Sequence, residues 1–577
     1  MATKRTTQSA NTLPSGSLGE FVKFIWENAS AGCAVPCWPP DVFAITGCVL
    51  ARSGAYTKVL DVGAGRSGGA LLPTDWPREA EKVAKEWRAE INVSLVKQKR
   101  KLPPKLPLSV APKRVREWWQ VVTSRFALPF SQINDDAKLV RALICLCTVA
   151  DEASAGTGTN LKTSDDFIHT ASLVLTTLNG SASFGLQVRP DKVAVMAKQH
   201  TPQRGLTFRS LSHHLALYST HEISVRWLSP LERPAYDVDI LNILLLPWPE
   251  TVRASDFTVV DGKKHGIPPM PSGSKFFCYE PRSLQAEDFA TLLHAAIAGA
   301  KEHVDRVHCL VFPELALTEE EYAAAEDIAL AESAILIAGV LMKSDDKLVN
   351  ASIIQPLGLS AGAGSGTHVE ALRNESRIVQ GKHHRWCLDR NQVIQYGLGG
   401  RLPASKDCWE LTNIEERSLV FFTLEEWLTW SVLICEDLAR QDPATEVLRA
   451  VAPNMVIALL MDGPQLRERW PSRYASVLAD DPGCSVLTLT SLGMARRSKP
   501  RDGAPSRSGV IGLWKDVVYG ERELSLADDE QACVLSLVCK TKEEYSADGR
   551  GDRGTAHFPV FAGLHPIKMP AERLKSA

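Results

Sequence analysis

The feature that most constrains this chain is a change in sequence pattern near residue 235. After it, short runs rich in Leu, Ile and Val alternate with longer segments of helical periodicity. Such alternation is typical of layered α/β folds, in which helices connect the strands of a sheet. Strands are predicted at residues 241–246, 307–312, 334–340, 350–355, 377–380, 431–434, 455–460, 485–490 and 533–538, with helices at 284–304 and from Thr318, whose capping box uses Glu321.

Before residue 235 the readable segments are helical. Pro40-Asp41, Asp135-Asp136 and Ser164-Asp165-Asp166 precede apolar stretches, and these residue types favour helix starts. We therefore predict a mainly α-helical domain of unknown role at residues 18–235, after a disordered tail at 1–17. The α/β domain should cover residues 236–566, followed by a tail at 567–577.

A basic segment at residues 97–116 lies within the helical region. It holds eight Lys or Arg residues and several prolines. Contact with phosphate groups is one interpretation, but no aromatic residues are interleaved with the charges, as they are in many single-strand binding sites. A solvated basic linker is the preferred prediction.

Composition sets broad limits on function. A chain of 577 residues should form two or three domains, and 45% hydrophobic with 23% charged residues is typical of soluble globular proteins. The longest apolar runs are too short to cross a membrane, and we expect no signal peptide and no membrane partner. Thirteen cysteines without a CxxC pair argue against a disulfide scaffold or a zinc site, so a reducing cytoplasm is expected.

Three residues with reactive side chains each follow a predicted strand: Glu314, Lys382 and Cys435. Carboxyl ends of strands are where α/β proteins bind ligands. Taken singly, each residue has a simpler interpretation, as a capping carboxylate, a surface lysine and a small core residue. The neighbouring His383-His384 pair should point to opposite sides of the chain and has no third ligand at metal-site spacing, so no metal site is predicted.

The stretches VFPELALT, LIAGV, KLVNASIIQP, GKHHRW and VLICEDLAR follow one another along the chain. In this order they resemble the nitrilase, or carbon–nitrogen hydrolase, superfamily over about residues 237–566. The resemblance implies a four-layer α-β-β-α sandwich, a homo-oligomer, no cofactor, and a catalytic set of Glu314, Lys382 and Cys435. In such a site Cys435 forms a thioester, Glu314 carries protons, and Lys382 with the backbone N–H of Glu436 holds the oxyanion.

The chain departs from the family pattern in one position. A second glutamate commonly follows the lysine closely, whereas here none occurs before Glu410. Gln392 is the predicted substitute, since its amide could orient Lys382 by hydrogen bonding. The low-complexity segment Gly358–Gly366 is an additional insertion, of a kind that surface loops tolerate.

Two functions from different classes follow. The first is hydrolysis of a non-peptide carbon–nitrogen bond in a small amide or nitrile, with transfer of the acyl group to an amine left open. The alternative is a nitrilase-fold assembly or sensing module of a multidomain bacterial protein, such as a phage-defence protein. Its amino-terminal half would bind a partner protein or nucleic acid. The complete set of Glu314, Lys382 and Cys435 favours the enzyme, because a scaffold has no need of all three.

Overall fold

The structure is a computed structural model that describes residues 16–61, 70–99, 101–159, 163–178, 181–219, 222–228, 238–265, 274–344, 347–356, 376–414, 416–498 and 507–569. Its contacts divide the chain into two units. The amino-terminal unit is Met1–Thr220 with Glu543–Arg553, and the carboxy-terminal unit is His221–Lys542 with Gly554–Ala577. The predicted boundary at residue 235, the insertion Gly358–Gly366 and most of both predicted tails lie outside the described residues.

The described part of the amino-terminal unit contains helices and one small sheet. The helices are α1 Leu18–Ile25, α2 Pro39–Ser53, α3 Trp76–Lys97, α4 Lys113–Thr123, α5 Ala137–Ala153 and α6 Asp166–Leu173, and β1 Ala194–Ala197 pairs antiparallel with β2 Leu215–Tyr218. Asp136 caps α5, since its carboxylate accepts the Leu139 N–H at 2.9 Å. The basic segment 97–116 connects α3 to α4, and its last residues form the first turn of α4.

The carboxy-terminal unit contains the remaining strands and helices. The strands are β3 Ser224–Leu228, β4 Ile240–Leu245, β5 Phe257–Val260, β6 Lys275–Tyr279, β7 Cys309–Val311, β8 Ile335–Ser344, β9 Lys347–Gln355, β10 Ile378–Gly381, β11 Cys387–Leu388, β12 Cys408–Glu410, β13 Ser418–Glu425, β14 Leu428–Ile434, β15 Met455–Leu460, β16 Ser485–Thr490, β17 Val510–Asp516, β18 Gly520–Ser525, β19 Ala532–Lys542 and β20 Ala556–Ile567. The helices are α7 Ala286–Lys301, α8 Glu319–Ala331, α9 Arg390–Gln395, α10 Glu436–Ala439, α11 Ala444–Val451, α12 Trp470–Asp480 and α13 Leu492–Arg497.

These strands form two seven-stranded sheets and one four-stranded sheet. The first large sheet has the order β10-β9-β8-β7-β4-β19-β20, and the second has the order β18-β17-β16-β15-β14-β13-β3. The small sheet has the order β11-β12-β6-β5. In each large sheet the central strands are parallel, namely β4-β7-β8 and β14-β15-β16. The chain is therefore a mixed α/β protein.

The two large sheets face each other across a shared apolar core. Ile243 and Ile337 of the first sheet belong to the same buried cluster as Val432 and Ile457 of the second. The other face of the first sheet packs against α7 and α8 through residues such as Phe289. On the second sheet, α12 contacts β16 and β17, and α10 contacts β14. None of the described helices is long and apolar enough to span a bilayer.

The polar connection Glu543–Arg553, between β19 and β20, belongs to the amino-terminal unit. Its Arg550 is 2% exposed and binds Asp548 at 2.8 Å, Asp151 at 3.1 Å and Glu152 at 3.2 Å. Burial raises the pKa of Asp151, but Arg550, His213 and His214 outweigh burial and bring that pKa to about 2. Arg550 thus neutralises buried carboxylates of the amino-terminal unit, to which its own segment belongs.

Candidate active site

The three residues singled out in the sequence all lie at strand ends and are buried. Glu314 follows β7, Lys382 follows β10 directly, and Cys435 follows β14 directly. Their exposed fractions are 3%, 2% and 2%. Lys382 is therefore not a surface lysine, and burying its charge requires compensating carboxylates close by.

Two carboxylates compensate the charge of Lys382. Its Nζ lies 2.7 Å from Oε1 of Glu314 and 2.6 Å from Oε2 of Glu410. Burial alone would lower the pKa of Lys382, but Glu314 and Glu410 outweigh it and raise that pKa well above its ordinary value. Lys382 is therefore a permanent cation between two buried acids.

Glu410 corrects the prediction made for Gln392. Gln392 belongs to a capping box at the start of α9, where its amide oxygen accepts the Asp389 N–H at 3.2 Å and its own backbone N–H donates to Asp389 at 2.8 Å. It does not orient Lys382. The signal that could have identified Glu410 is a carboxylate within the otherwise apolar run Cys408-Trp409-Glu410-Leu411, because a buried acid needs a partner.

Asn350 on β9 joins the two glutamates. Its Nδ2 donates to Oε1 of Glu314 at 2.7 Å and to Oε1 of Glu410 at 2.7 Å. The backbone N–H of Trp386 also donates to Oε2 of Glu410 at 2.9 Å. Asn350 lies in the quoted stretch KLVNASIIQP but received no role from the sequence. It supplies donors to two like charges and so reduces their repulsion.

The backbone at Cys435 makes a sharp turn between β14 and α10. Its φ of 47° and ψ of −104° are rare for a residue other than glycine. The Cys435 N–H donates to the carbonyl of Leu459 on the neighbouring β15 at 2.9 Å, which anchors the turn. A reactive side chain on such a turn between strand and helix resembles a nucleophile elbow. The Glu436 side chain binds Arg440 at 3.0 Å, so its contribution to the site would come from its backbone N–H.

The charges around Cys435 oppose one another. Burial raises the pKa of the thiol, Glu314 raises it further, and Lys382 lowers it, with the result that the pKa lies well above its ordinary value. Burial and the charge of Glu410 likewise raise the pKa of Glu314, whereas Lys382 lowers it, and the net pKa is raised. The resting site therefore holds a thiol beside a carboxyl group of raised proton affinity, which suits proton transfer between them.

Asp437 connects the turn after Cys435 to the turn after Lys382. Its carboxylate accepts the His383 N–H at 3.1 Å and the His384 N–H at 3.0 Å. The two histidines thus help to position Lys382. Among the described residues, no group of three or more His, Cys, Asp and Glu could hold a metal ion.

Gly339 on β8 allows the turn that carries Glu314 to approach the sheet. A Cβ atom at position 339 would lie 2.2 Å from the Pro313 carbonyl oxygen and 2.5 Å from the Glu314 Cα. Leu315 continues the turn with a φ of 50°. A side chain at position 339 would displace Glu314, because contacts this short do not occur in folded proteins.

A small pocket is lined in part by Glu314, Asn350 and Glu410. Its other walls are largely apolar, formed by Phe277, Tyr279, Leu315, Leu341, Trp386 and Met461. The N–H of Met461 also interacts with the Cys435 thiol and lowers its pKa. The cavity is therefore adjacent to the reactive group.

Comparison with solved structures finds carbon–nitrogen hydrolases. The carbon–nitrogen hydrolase of Helicobacter pylori G27 is 12% identical, with a TM-score of 0.27 over 58% of this chain and 91% of that one. Nit3 of Saccharomyces cerevisiae, a member of the nitrilase superfamily, is 10% identical, with a TM-score of 0.31 over 53% and 93% of the two chains. A glutamine-dependent NAD(+) synthetase from Cytophaga hutchinsonii is 12% identical, with a TM-score of 0.25 over 52% and 42%.

The chain matches no protein-family model and no curated protein. At identities of 10–12% and TM-scores of 0.25–0.31, the roles of individual residues depend on the geometry described above.

Proposed function

We propose that the carboxy-terminal unit hydrolyses the carbon–nitrogen bond of a small amide or nitrile, with Cys435 as nucleophile. The observation that carries this proposal is the buried hydrogen-bonded set of Glu314, Lys382 and Glu410 beside Cys435. The two facing sheets, with helices packed on them, fit the four-layer sandwich that the nitrilase resemblance implies.

For an amide, the first half of the reaction forms a thioester. Glu314 takes the proton of Cys435 as Sγ attacks the carbonyl carbon. Oε2 of Glu314 has no hydrogen-bond partner among the described residues, so this oxygen is available for the proton. The oxygen of the tetrahedral intermediate becomes negative and is stabilised by Lys382 and the Glu436 N–H.

The second half releases the products. Glu314 passes its proton to the leaving nitrogen, so that ammonia or an amine departs and the thioester remains. Glu314 then removes a proton from water, which attacks the thioester carbon. The acid departs and Cys435 regains its proton. Lys382 stays charged throughout because of its raised pKa, so the oxyanion always faces a cation.

The test is ammonia release from a panel of small amides and nitriles, together with mass detection of an acyl adduct on the protein. We expect turnover by the wild type and none by Cys435→Ala. The control is Cys484→Ala, since Cys484 is buried beyond the site and its replacement should retain activity. Equal ammonia release by wild type and Cys435→Ala would contradict the proposal. So would the absence of both turnover and adduct across the panel, which would favour the assembly or sensing module.

A further inference from the structure

The amino-terminal unit has a basic and apolar surface that the proposed hydrolase reaction does not use. It consists of the last turns of α3 and the loop that follows, residues 93–109, and is called here the α3 loop surface. No Asp or Glu occurs from residue 91 to residue 116. Its exposed lysines are Lys97, Lys99, Lys101 and Lys105. None of the four forms an ion pair with a described residue, whereas Lys113, at the start of α4, pairs with Glu117.

Large apolar side chains are exposed among these lysines. They are Val93, Val96, Leu102 and Leu108, with exposed fractions of 50%, 59%, 37% and 45%. The described residues of the whole chain include fifteen exposed large hydrophobic side chains, and four of these lie within residues 93–108. Apolar residues exposed singly are normal on a protein surface, but a concentration of them marks an interaction site.

The loop after α3 is held in one conformation. The Gln98 side chain closes it, donating to the Lys105 carbonyl at 2.8 Å and accepting the Lys105 N–H at 2.9 Å. Gln98 also donates to the Ser94 hydroxyl at 3.0 Å. Lys99 follows the end of α3 with a φ of 54°, at a position where helices usually have glycine. The surface is therefore preorganised, with Leu102 near the middle of the closed loop.

The exposed lysines require an anionic partner, and the backbone of the loop limits the kind of partner. The N–H and C=O of Lys105 are already bonded to Gln98. Three further positions are prolines, which have no N–H, namely Pro103, Pro104 and Pro107. A partner that pairs with the backbone as an added strand is therefore disfavoured. Recognition depends on the lysine and apolar side chains.

An anionic lipid bilayer matches both kinds of side chain. Its headgroups attract lysines, and its acyl region receives apolar side chains that lie beside them. A nucleic acid would engage the lysines alone, because residues 93–109 contain no aromatic side chain on which bases could stack. The prolines also reduce the cost of placing the loop among lipids, since they leave no N–H without a hydrogen bond.

We propose that the α3 loop surface binds an anionic lipid bilayer, with its lysines on the headgroups and Leu102 inserted among the acyl chains. The lack of a bilayer-spanning run, on which the expectation of no membrane partner rests, does not bear on such peripheral binding. This binding is independent of the hydrolase reaction and of Cys435. Because both units belong to one chain, it would concentrate the hydrolase unit at the membrane surface.

The test is cosedimentation of the full chain with vesicles of phosphatidylcholine, either alone or with about one third phosphatidylglycerol. We expect binding to the anionic vesicles only. Binding should weaken when NaCl rises from about 0.1 M to about 1 M, because the Debye length falls from about 10 Å to about 3 Å. Lys99→Gln combined with Lys101→Gln should weaken binding about 25-fold, since each lysine near an anionic surface contributes about fivefold. Leu102→Asn should weaken it about tenfold through lost apolar contact.

Lys82→Gln and Leu60→Asn are the matched controls and should bind the anionic vesicles as the wild type does. Lys82 is exposed about four turns before the end of α3, and Leu60 is 61% exposed in the same unit. Circular dichroism should show the fold unchanged in all variants, because each replaced side chain is exposed.

The inference is overturned if the wild type binds neither kind of vesicle, or binds both equally. It is also overturned if the control variants lose as much binding as the α3 loop variants. Binding to a DNA duplex or to polyglutamate that depends on the lysines but not on Leu102 would instead identify a soluble polyanion as the partner. None of these measurements needs turnover, so the outcome is separate from that of the proposed hydrolase function.

Discussion

Replacement of Glu410 by glutamine tests a residue of the site to which the sequence analysis assigned no role. Glu410 accepts hydrogen bonds from Asn350, Lys382 and the Trp386 N–H through its two oxygens. Glutamine has the same size but only one acceptor oxygen, so its NH₂ group must face a donor. A hydrogen bond to a charged group contributes about 1.5–3 kcal/mol. If Lys382 loses this support in the transition state, kcat should fall about 10- to 150-fold.

The pH dependence of kcat provides a second, independent readout. The charge of Glu410 raises the pKa of both Glu314 and Lys382. Removing that charge should lower the pKa of Glu314, so Glu314 becomes an unprotonated base at lower pH. The acid limb of the pH profile of Glu410→Gln should therefore move to lower pH.

The assay is ammonia release by wild type, Glu410→Gln and Gln392→Ala from pH 5 to 10, a range of about five units chosen to include the acid limb. Gln392→Ala is the matched control, since Gln392 only caps α9, and its activity should stay within about twofold of wild type. The reasoning is refuted if Glu410→Gln retains wild-type kcat with an unshifted profile, or if Gln392→Ala is equally impaired.

Three further predictions follow from the buried charges. Lys382→Met should abolish turnover and lower the free energy of unfolding by about 3–5 kcal/mol, because two buried carboxylates lose their cation; a loss below about 1 kcal/mol in chemical denaturation would contradict this. Sub-stoichiometric alkylation near neutral pH should modify Cys435 before Cys484, at a rate that rises with pH because the thiol pKa is raised. Peptide mapping that shows Cys484 modified first would disprove it. In the amino-terminal unit, the pKa of Asp151 is lowered from 3.8 to about 2. This shift contributes about 2 kcal/mol to the free energy of unfolding above about pH 4, and the contribution is lost as the pH falls toward 2. Arg550→Met should remove this contribution, and circular dichroism that shows the variant as acid-resistant as wild type would count against it.

Several elements could be predicted from the sequence because their signals are local. The apolar run Met455–Leu460 coincides with β15, since a strand buried on both faces has an uninterrupted apolar sequence, and the predicted strand Ser485–Thr490 coincides with β16. Thr318 and Glu321 form the expected capping box. The strand-end positions of Glu314, Lys382 and Cys435 could likewise be predicted, because a local strand signal precedes each residue.

Short strands and polar connections could not be predicted from the sequence. Strand β12 has three residues, and it joins the site through parallel pairing with β6. That pairing brings Glu410 to Lys382 across 28 residues of sequence. Periodicity over so few residues carries no signal, and the register between distant strands depends on the whole sheet.

The sequence by itself determined the class of fold in the carboxy-terminal half and the strand-end positions of three reactive residues, because burial imposes apolar runs on the chain. Only the tertiary structure decided which carboxylate holds Lys382, that Asn350 bridges the two glutamates, and that Glu543–Arg553 belongs to the amino-terminal unit. Each of these depends on a contact between residues far apart in the chain. Such contacts are selected by the free energy of pairing buried charges in the folded state, which no local pattern records.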